Sequence, residues 1–156
     1  MQQHRILFVC HGNICRSTMA ESVFTELVRQ AGRSDEFIID SAATSTEEIG
    51  NSPHYGTVTK LRQMGVPLVP HRARQVRGDE YSDWDLIIGM DNANIRNLRR
   101  IFKHEPEAQA DSCAKVIKLL SLAGSDRDVA DPWYTGNFDV TYEDVLAGCE
   151  ALLKQL

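Results

Sequence analysis

The chain has 156 residues, 42% apolar and 25% charged, with a formal net charge of −5. That length suits one domain, residues 1–156, with its own core. The negative balance argues against general nucleic-acid binding, four cysteines are too few for a disulfide scaffold, and no apolar run approaches the ~18 residues of a membrane span. The run Ile6–Val9 is much shorter than a signal-peptide core and passes straight into polar residues. The expectation is a cytoplasmic protein with free thiols and no integral membrane segment.

In chain order, residues 4–10 read as a short buried strand ending near Gly12. Thr18 to Glu21 fits a capping box, with Ser17 as a competing cap. Met19, Val23, Phe24, Leu27, Val28 and Ala31 then recur at helical spacing, and Gly32 stops the helix. Phe37 to Ile39 predicts a second strand, followed by a polar loop from Asp40 to Asn51. Pro53 can open a second helix that runs to about Met64. Residues 71–82 are polar and basic and read as a loop with a helical turn. Leu86 to Ile88 is a third strand, and Asp91 or Asn92 can cap a helix carrying Ile95, Leu98 and Phe102. Val116-Ile117 centres a weaker fourth strand. Asp131 to Asn137 is turn-rich, and a last helix runs from about Thr141 with Val145, Leu146, Cys149, Leu152 and Leu153 on one face. Short strands alternating with helices predict a parallel sheet covered on both faces, with ligands bound beyond the carboxyl ends of the strands.

One stretch dominates the functional reading: Cys10-His11-Gly12-Asn13-Ile14-Cys15-Arg16-Ser17, at the junction of the first strand and the first helix. Backbone N–H groups in such a turn can wrap an anion, and the helix N-terminus adds positive potential. The same surroundings favour an anionic sulfur. Gly12 allows close backbone approach, Asn13 tolerates left-handed dihedrals, and Arg16 can fork onto two phosphate oxygens. Ser17 can donate a hydrogen bond to the Cys10 sulfur. The Lys-Ser/Thr ending of a nucleotide-binding loop is missing, and one glycine is too few for a dinucleotide fingerprint. Cys10 and Cys15 do not form a CxxC pair and the five histidines are scattered, so no metal and no cofactor is expected.

Cys10, Arg16 and Ser17 match the Cys-x5-Arg-Ser/Thr signature of the low-molecular-weight protein tyrosine phosphatases, which this chain resembles over nearly its whole length. Asp40 to Ser45, His71 to Arg74, Met90-Asp91 and Asp131-Pro132-Trp133-Tyr134 fall in that family's order. The resemblance implies a four-stranded parallel sheet with helices on both faces, a flavodoxin-like three-layer sandwich. It implies phosphotyrosine hydrolysis in which Cys10 is the nucleophile, Arg16 and the loop amides hold the phosphoryl oxygens, and Asp131 is general acid and then base. It implies that Asn13, Ser17, Ser41 and His71 form a hydrogen-bonded set shaping the loop, with Asp91 orienting His71. It makes Trp133 and Tyr134 walls of an aryl-sized cleft, and Tyr134 a position of phosphorylation. Substrates would be phosphotyrosine proteins or small aryl phosphates, and a tyrosine autokinase is a candidate partner.

Two readings of Cys15 stay open: a redox partner of Cys10, as in the family, or a residue packed beneath the loop. Ile14 stands where related arginine phosphatases carry threonine, which favours a flat aromatic substrate. Three positions depart from the common pattern. His11 adds a polar, protonatable contact beside the substrate; Thr18 replaces a proline; Glu47 stands near a usual rim aromatic. Rival readings are an arsenate reductase, which would need two further redox cysteines where none lies between Cys15 and Cys113, an arginine phosphatase, and a non-catalytic phosphate-binding module.

Overall fold

A computed structural model describes residues 2–156. Strand β1 (His4–Cys10) leads into helix α1 (Arg16–Gln30), then β2 (Phe37–Ala43), α2 (Tyr55–Gln63), β3 (Leu86–Gly89) and α3 (Asn92–Ile101). A short α4 (Pro106–Asp111), β4 (Val116–Lys118), the four-residue α5 (Pro132–Thr135) and the long α6 (Phe138–Gln155) follow. The four strands form one sheet in the order β2-β1-β3-β4, and every pair is parallel.

The apolar run of β1 is buried on both faces, which is why it shows no alternation in the sequence. Its side chains nevertheless divide with period two. Ile6, Phe8 and Cys10 pack with Met19, Val23 and Phe24 of α1 and Tyr142, Val145, Cys149 and Leu152 of α6. Leu7 and Val9 face the other way, toward Tyr81, Leu98, Phe102 and Ala108. The expected three-layer α/β arrangement with helices on both faces is therefore present. The order also puts β1 beside the point where connections diverge to β2 on one side and β3 on the other, the usual ligand crevice of such sheets.

Several sequence expectations need correction. Strand β2 continues through Asp40 and Ser41 to Ala43, because those polar side chains are satisfied by neighbours rather than by water. Helix α2 starts at Tyr55, with His54 as its cap; Pro53 lies before it. Helix α6 starts at Phe138, three residues before Thr141, under an Asn137 cap. Residues 106–111, for which the sequence predicted nothing, form a helix with Pro106 in its first turn. The capping box at Thr18 to Glu21 does not form. Helix α1 begins at Arg16 without a side-chain cap, Thr18 Oγ1 donates to the Cys15 carbonyl at 3.1 Å, and Glu21 accepts from Ser41 instead.

The packing of α6 on the segment after β4 is tight. An added Cβ at Gly148 would lie 2.4 Å from Leu119 Cγ, which is fully buried. Gly148→Ala gains about 1 kcal/mol of helix propensity against an overpacking cost of about 1–3 kcal/mol. Denaturant unfolding of that variant is expected to show a net loss of about 0–2 kcal/mol.

Candidate active site

Cys10 ends β1, and the chain turns at once through residues 11–15 into α1. Asn13 stands in the left-handed region at φ 60°, one of three non-glycine residues among those described with positive φ. That turn brings the Asn13 N–H to 3.3 Å from Cys10 Sγ. It also buries the Asn13 amide completely, and the amide uses every hydrogen-bonding position it has. Its Nδ2 donates to Ser17 Oγ at 2.8 Å and Ser41 Oγ at 3.0 Å. Its Oδ1 accepts from the Arg74 N–H at 3.2 Å and lies 2.7 Å from His71 Nε2. The Arg74 N–H has only a donor to offer, which fixes the amide's orientation and makes His71 Nε2 the protonated ring nitrogen.

The hydroxyl hydrogens follow from that orientation. Ser17 Oγ accepts from Asn13, so its own hydrogen is free for Cys10 Sγ at 3.1 Å. Ser41 Oγ likewise accepts from Asn13 and donates to Glu21 Oε1 at 2.6 Å. Two donors, the Asn13 N–H and the Ser17 hydroxyl, therefore converge on the Cys10 sulfur. The expected set of Asn13, Ser17, Ser41 and His71 is assembled as one network.

Arg16 enters from the first turn of α1 and is only 2% exposed. Nη1 donates to Asp91 Oδ2 at 2.8 Å and to the Val129 carbonyl at 2.9 Å, while Nη2 reaches Asp131 Oδ2 at 3.4 Å. Its buried Nε has no hydrogen-bond partner among the described residues. Burial opposes its charge, but Cys10, Asp131 and Asp91 outweigh that and hold the guanidinium protonated. Asp91 divides its carboxylate: Oδ1 caps α3 through the Asn94 N–H, and Oδ2 holds Arg16. The expectation that Asp91 orients His71 is thus corrected; its partner is Arg16, and Asn13, Glu21 and Asp40 surround His71.

These groups line one pocket of about 520 Å³, its open mouth included, formed by Cys10, His11, Gly12, Ile14, Cys15, Arg16, Glu47, Glu48, Asp131, Trp133 and Tyr134. The uncapped N-terminus of α1 meets this pocket. Asp131 caps α5 by accepting from the Trp133 N–H at 3.0 Å, which tips Trp133 and Tyr134 outward to form a wall. Ile14 also lines the pocket. At the rim, His11 Nε2 and Glu47 Oε2 are 2.9 Å apart, so two of the departures from the family pattern contact each other. A Cβ at Gly12 would lie 3.3 Å from the Glu48 side chain.

The sequence reading missed the groups behind the loop. Glu21, Asp40 and Arg74 enclose His71; Arg74 pairs with Asp40 at 3.1 Å and with both oxygens of Glu80. Their signal was faint. Glu21 looked like a capping-box residue, and Arg74 looked like part of a polar, basic loop. Burial lowers the His71 pKa despite Asp40, and it pushes Glu21 up to about 7, against the hydrogen bond from Ser41. Glu21, Asp40 and His71 present ligand-type atoms near one another. The Arg74 guanidinium on Asp40 and the Ser41 hydroxyl on Glu21 already serve these carboxylates, and the group does not read as a metal centre.

A model of the low molecular weight phosphotyrosine protein phosphatase family matches residues 5–156. The mouse low molecular weight phosphotyrosine protein phosphatase is 39% identical over 154 residues, covering 96% of this chain and 94% of the relative. The low molecular weight protein-tyrosine-phosphatase YfkJ of Bacillus subtilis is 39% identical over 151 residues, covering 97% and 94%. The crystal structure of YfkJ superposes with a TM-score of 0.91 over 99% of this chain and 95% of that one.

The elevated Glu21 pKa has a defined consequence for stability. A carboxyl raised from its ordinary 4.5 to about 7 is protonated in the folded state where the unfolded state has lost its proton. Its contribution is complete below about pH 4.5 and is lost as pH rises to about 7. Glu21→Gln keeps the acceptor for Ser41 and removes the titration. Relative to wild type it should gain on the order of 2 kcal/mol in unfolding free energy between pH 5 and 8. A constant difference across that range contradicts the assignment.

Proposed function

The chain belongs to the low molecular weight phosphotyrosine protein phosphatase family, and we propose that residues 1–156 act as a single phosphatase domain that works through a phosphocysteine. In the first step the Cys10 sulfur attacks phosphorus in line, an S–P bond forms, and the bond to the tyrosine oxygen breaks. A phenol with a pKa of about 10 leaves poorly as its anion, so Asp131 delivers a proton to the departing oxygen. In the second step water attacks phosphorus, Asp131 takes its proton, the S–P bond breaks and inorganic phosphate leaves. No metal or cofactor enters either step.

One observation carries this reading: the buried Arg16 Nε, without a hydrogen-bond partner among the described residues, in the same pocket as a sulfur that receives two hydrogen bonds. A buried N–H without an acceptor is costly. A tetrahedral oxyanion against Cys10 gives it one, and loop amides with the α1 N-terminus share the remaining charge. Asp91 and the Val129 carbonyl hold the guanidinium in place on its far side. Ile14, Trp133 and Tyr134 supply apolar lining suited to a phenyl ring. His11 and Glu47 form a polar rim that phosphotyrosine peptides must pass. A cytoplasmic location, a tyrosine autokinase as partner and phosphorylation of the 84%-exposed Tyr134 are consistent extensions of the same reading.

The test combines labelling with a leaving-group series. Rapid quenching should trap labelled phosphate on the wild-type protein and none on Cys10→Ser. Asp131→Asn should lower kcat/KM for phenyl phosphate about 100-fold while affecting dinitrophenyl phosphate far less. Equal slowing of both removes Asp131 from the acid role. Preferential turnover of phosphoarginine or reduction of arsenate would favour one of the rival enzymes, and the absence of any turnover a binding module.

The two cysteines of the loop support a redox brake. Peroxide converts Cys10 to a sulfenic acid, and the Cys15 thiol condenses with it, releasing water and forming a disulfide. Burial first, and Cys10 second, push Cys15 up to about 12, so Cys15 rests as a thiol and must give up its proton to the departing hydroxide as it attacks the sulfenic acid. After a mild peroxide pulse, dithiothreitol should restore wild-type activity, whereas Cys15→Ser should recover at least several-fold less. Equal recovery leaves Cys15 as a packing residue.

A further inference from the structure

We propose that His54 is a positioning residue for the proton-transfer step, its ring bridging the phosphate loop and the loop that carries Asp131. The sequence reading passed over this residue, and it does not line the pocket. Its backbone N–H donates to the Ile14 carbonyl at 2.8 Å, which fastens it to the back of the phosphate loop. Its Nδ1 accepts from the Gly56 N–H at 3.0 Å, which caps α2 and fixes the ring's rotation. Held this way, the imidazole lies nearly parallel to Phe138, with centroids 5.5 Å apart and 17° between planes. Phe138 in turn packs against Ile14, Cys15 and Ala73. Gly56 is required for this approach, because a Cβ there would fall 2.3 Å from the Phe138 ring. His54 also stacks on Tyr55 at 4.4 Å and meets Trp133 edge-to-face at 5.7 Å.

Trp133 is where the contact matters. The acid loop is secured at its base: the Val129 N–H donates to the Met90 carbonyl, and Thr141 Oγ1 donates to the Ala130 carbonyl. Beyond Asp131 the chain is a four-residue helix whose Trp133, Tyr134 and Thr135 are all exposed. Trp133 is 58% exposed, and His54 is its only aromatic neighbour among the described residues. The Trp133 N–H is also the donor to Asp131 Oδ1. That donor is the backbone N–H, so a displacement of the α5 backbone that takes Trp133 away from His54 carries the Asp131 carboxyl with it, whereas rotation of the indole alone does not. A shift of about 1 Å in a positioned catalytic group can cost up to about 100-fold in rate.

This inference rests on Asp131 being the general acid, and its test separates the two claims. His54→Asn keeps a capping acceptor for the Gly56 N–H but removes the ring; His54→Phe keeps a ring but removes the cap. If the ring positions the acid loop, His54→Asn lowers kcat/KM for phenyl phosphate about 10-fold, and for dinitrophenyl phosphate less than 2-fold. His54→Phe then stays within about 3-fold of wild type on both, although it melts at a lower temperature through loss of the cap. A purely structural role gives the opposite order, with His54→Phe the more damaged and neither variant sensitive to the leaving group; that result overturns the proposal. Trp133→Leu, at an exposed position, supplies a second route and should reproduce the leaving-group pattern of His54→Asn. Asp131→Asn is run in the same series. If it is leaving-group dependent and His54→Asn is not, only the role of His54 fails; if neither is, the acid assignment falls and takes this proposal with it.

Discussion

The geometry of the site depends on the buried side chain of Asn13. Its left-handed backbone would be unfavourable for most residues, and a lone amide at zero exposure would cost several kcal/mol if unpaired. Both costs are met because all four hydrogen-bonding positions of the amide are filled, by Ser17, Ser41, His71 and the Arg74 N–H. The network is directional. Arg74 fixes the amide, the amide fixes the two serine hydroxyls, and one of those hydroxyls has only the Cys10 sulfur left to serve. A loop that must present its N–H groups to an anion cannot hold itself together through them. The hydrogen bonds that shape this one come from behind, from β2 and from the segment after residue 70.

Arg16 solves the complementary problem. A guanidinium inside a protein needs counter-charges, yet one that clamps a phosphoryl group must keep donors in reserve. Here Nη1 is saturated by Asp91 and Val129, Nη2 is weakly engaged with Asp131 at 3.4 Å, and Nε is left over. Asp91 can perform this task because it is also the cap of α3, so its position is set by the helix it starts. The strong contact holds the arginine, and the long one can yield to a ligand.

The sequence disclosed the parts of this site that lie close together in the chain. Cys10 to Ser17 is one contiguous turn, and its residue types state their function locally: a nucleophile, a permissive backbone, a fork of donors at a helix start. The sheet was legible for a related reason, since apolar runs such as Ile6–Val9 and Leu86–Ile88 mark buried parallel strands. What stayed hidden depends on contacts across the fold. Asp40 and Ser41 read as the start of a loop because they are polar, and only Arg74, Asn13 and Glu21, arriving from three other segments, make them strand residues. Glu21 had the spacing of a capping box, yet Ser41, twenty residues on, claims its carboxylate. Asp91 was correctly placed at a helix start and at the site, but spacing alone could not choose between Arg16 and His71 as its partner.

His54 illustrates the same limit from the opposite direction. Locally it is a helix cap, and a histidine before Tyr55-Gly56 offers nothing more to a reader of sequence. Its significance comes from what crowds it: Phe138 from the start of α6 on one face and Trp133 from α5 on an edge. The nucleophile and Asp131 lie about 120 residues apart in the chain, on elements that share no strand pairing. Arg16 joins them electrostatically at the pocket floor, and the aromatic contacts join them at its outer side. A charge pair alone leaves the short helix free to pivot about Asp131, because it constrains one end of that helix. The Arg16 contact to the carboxyl and the His54 contact to Trp133 together limit that pivot, which is what the proposed proton transfers to and from Asp131 would require.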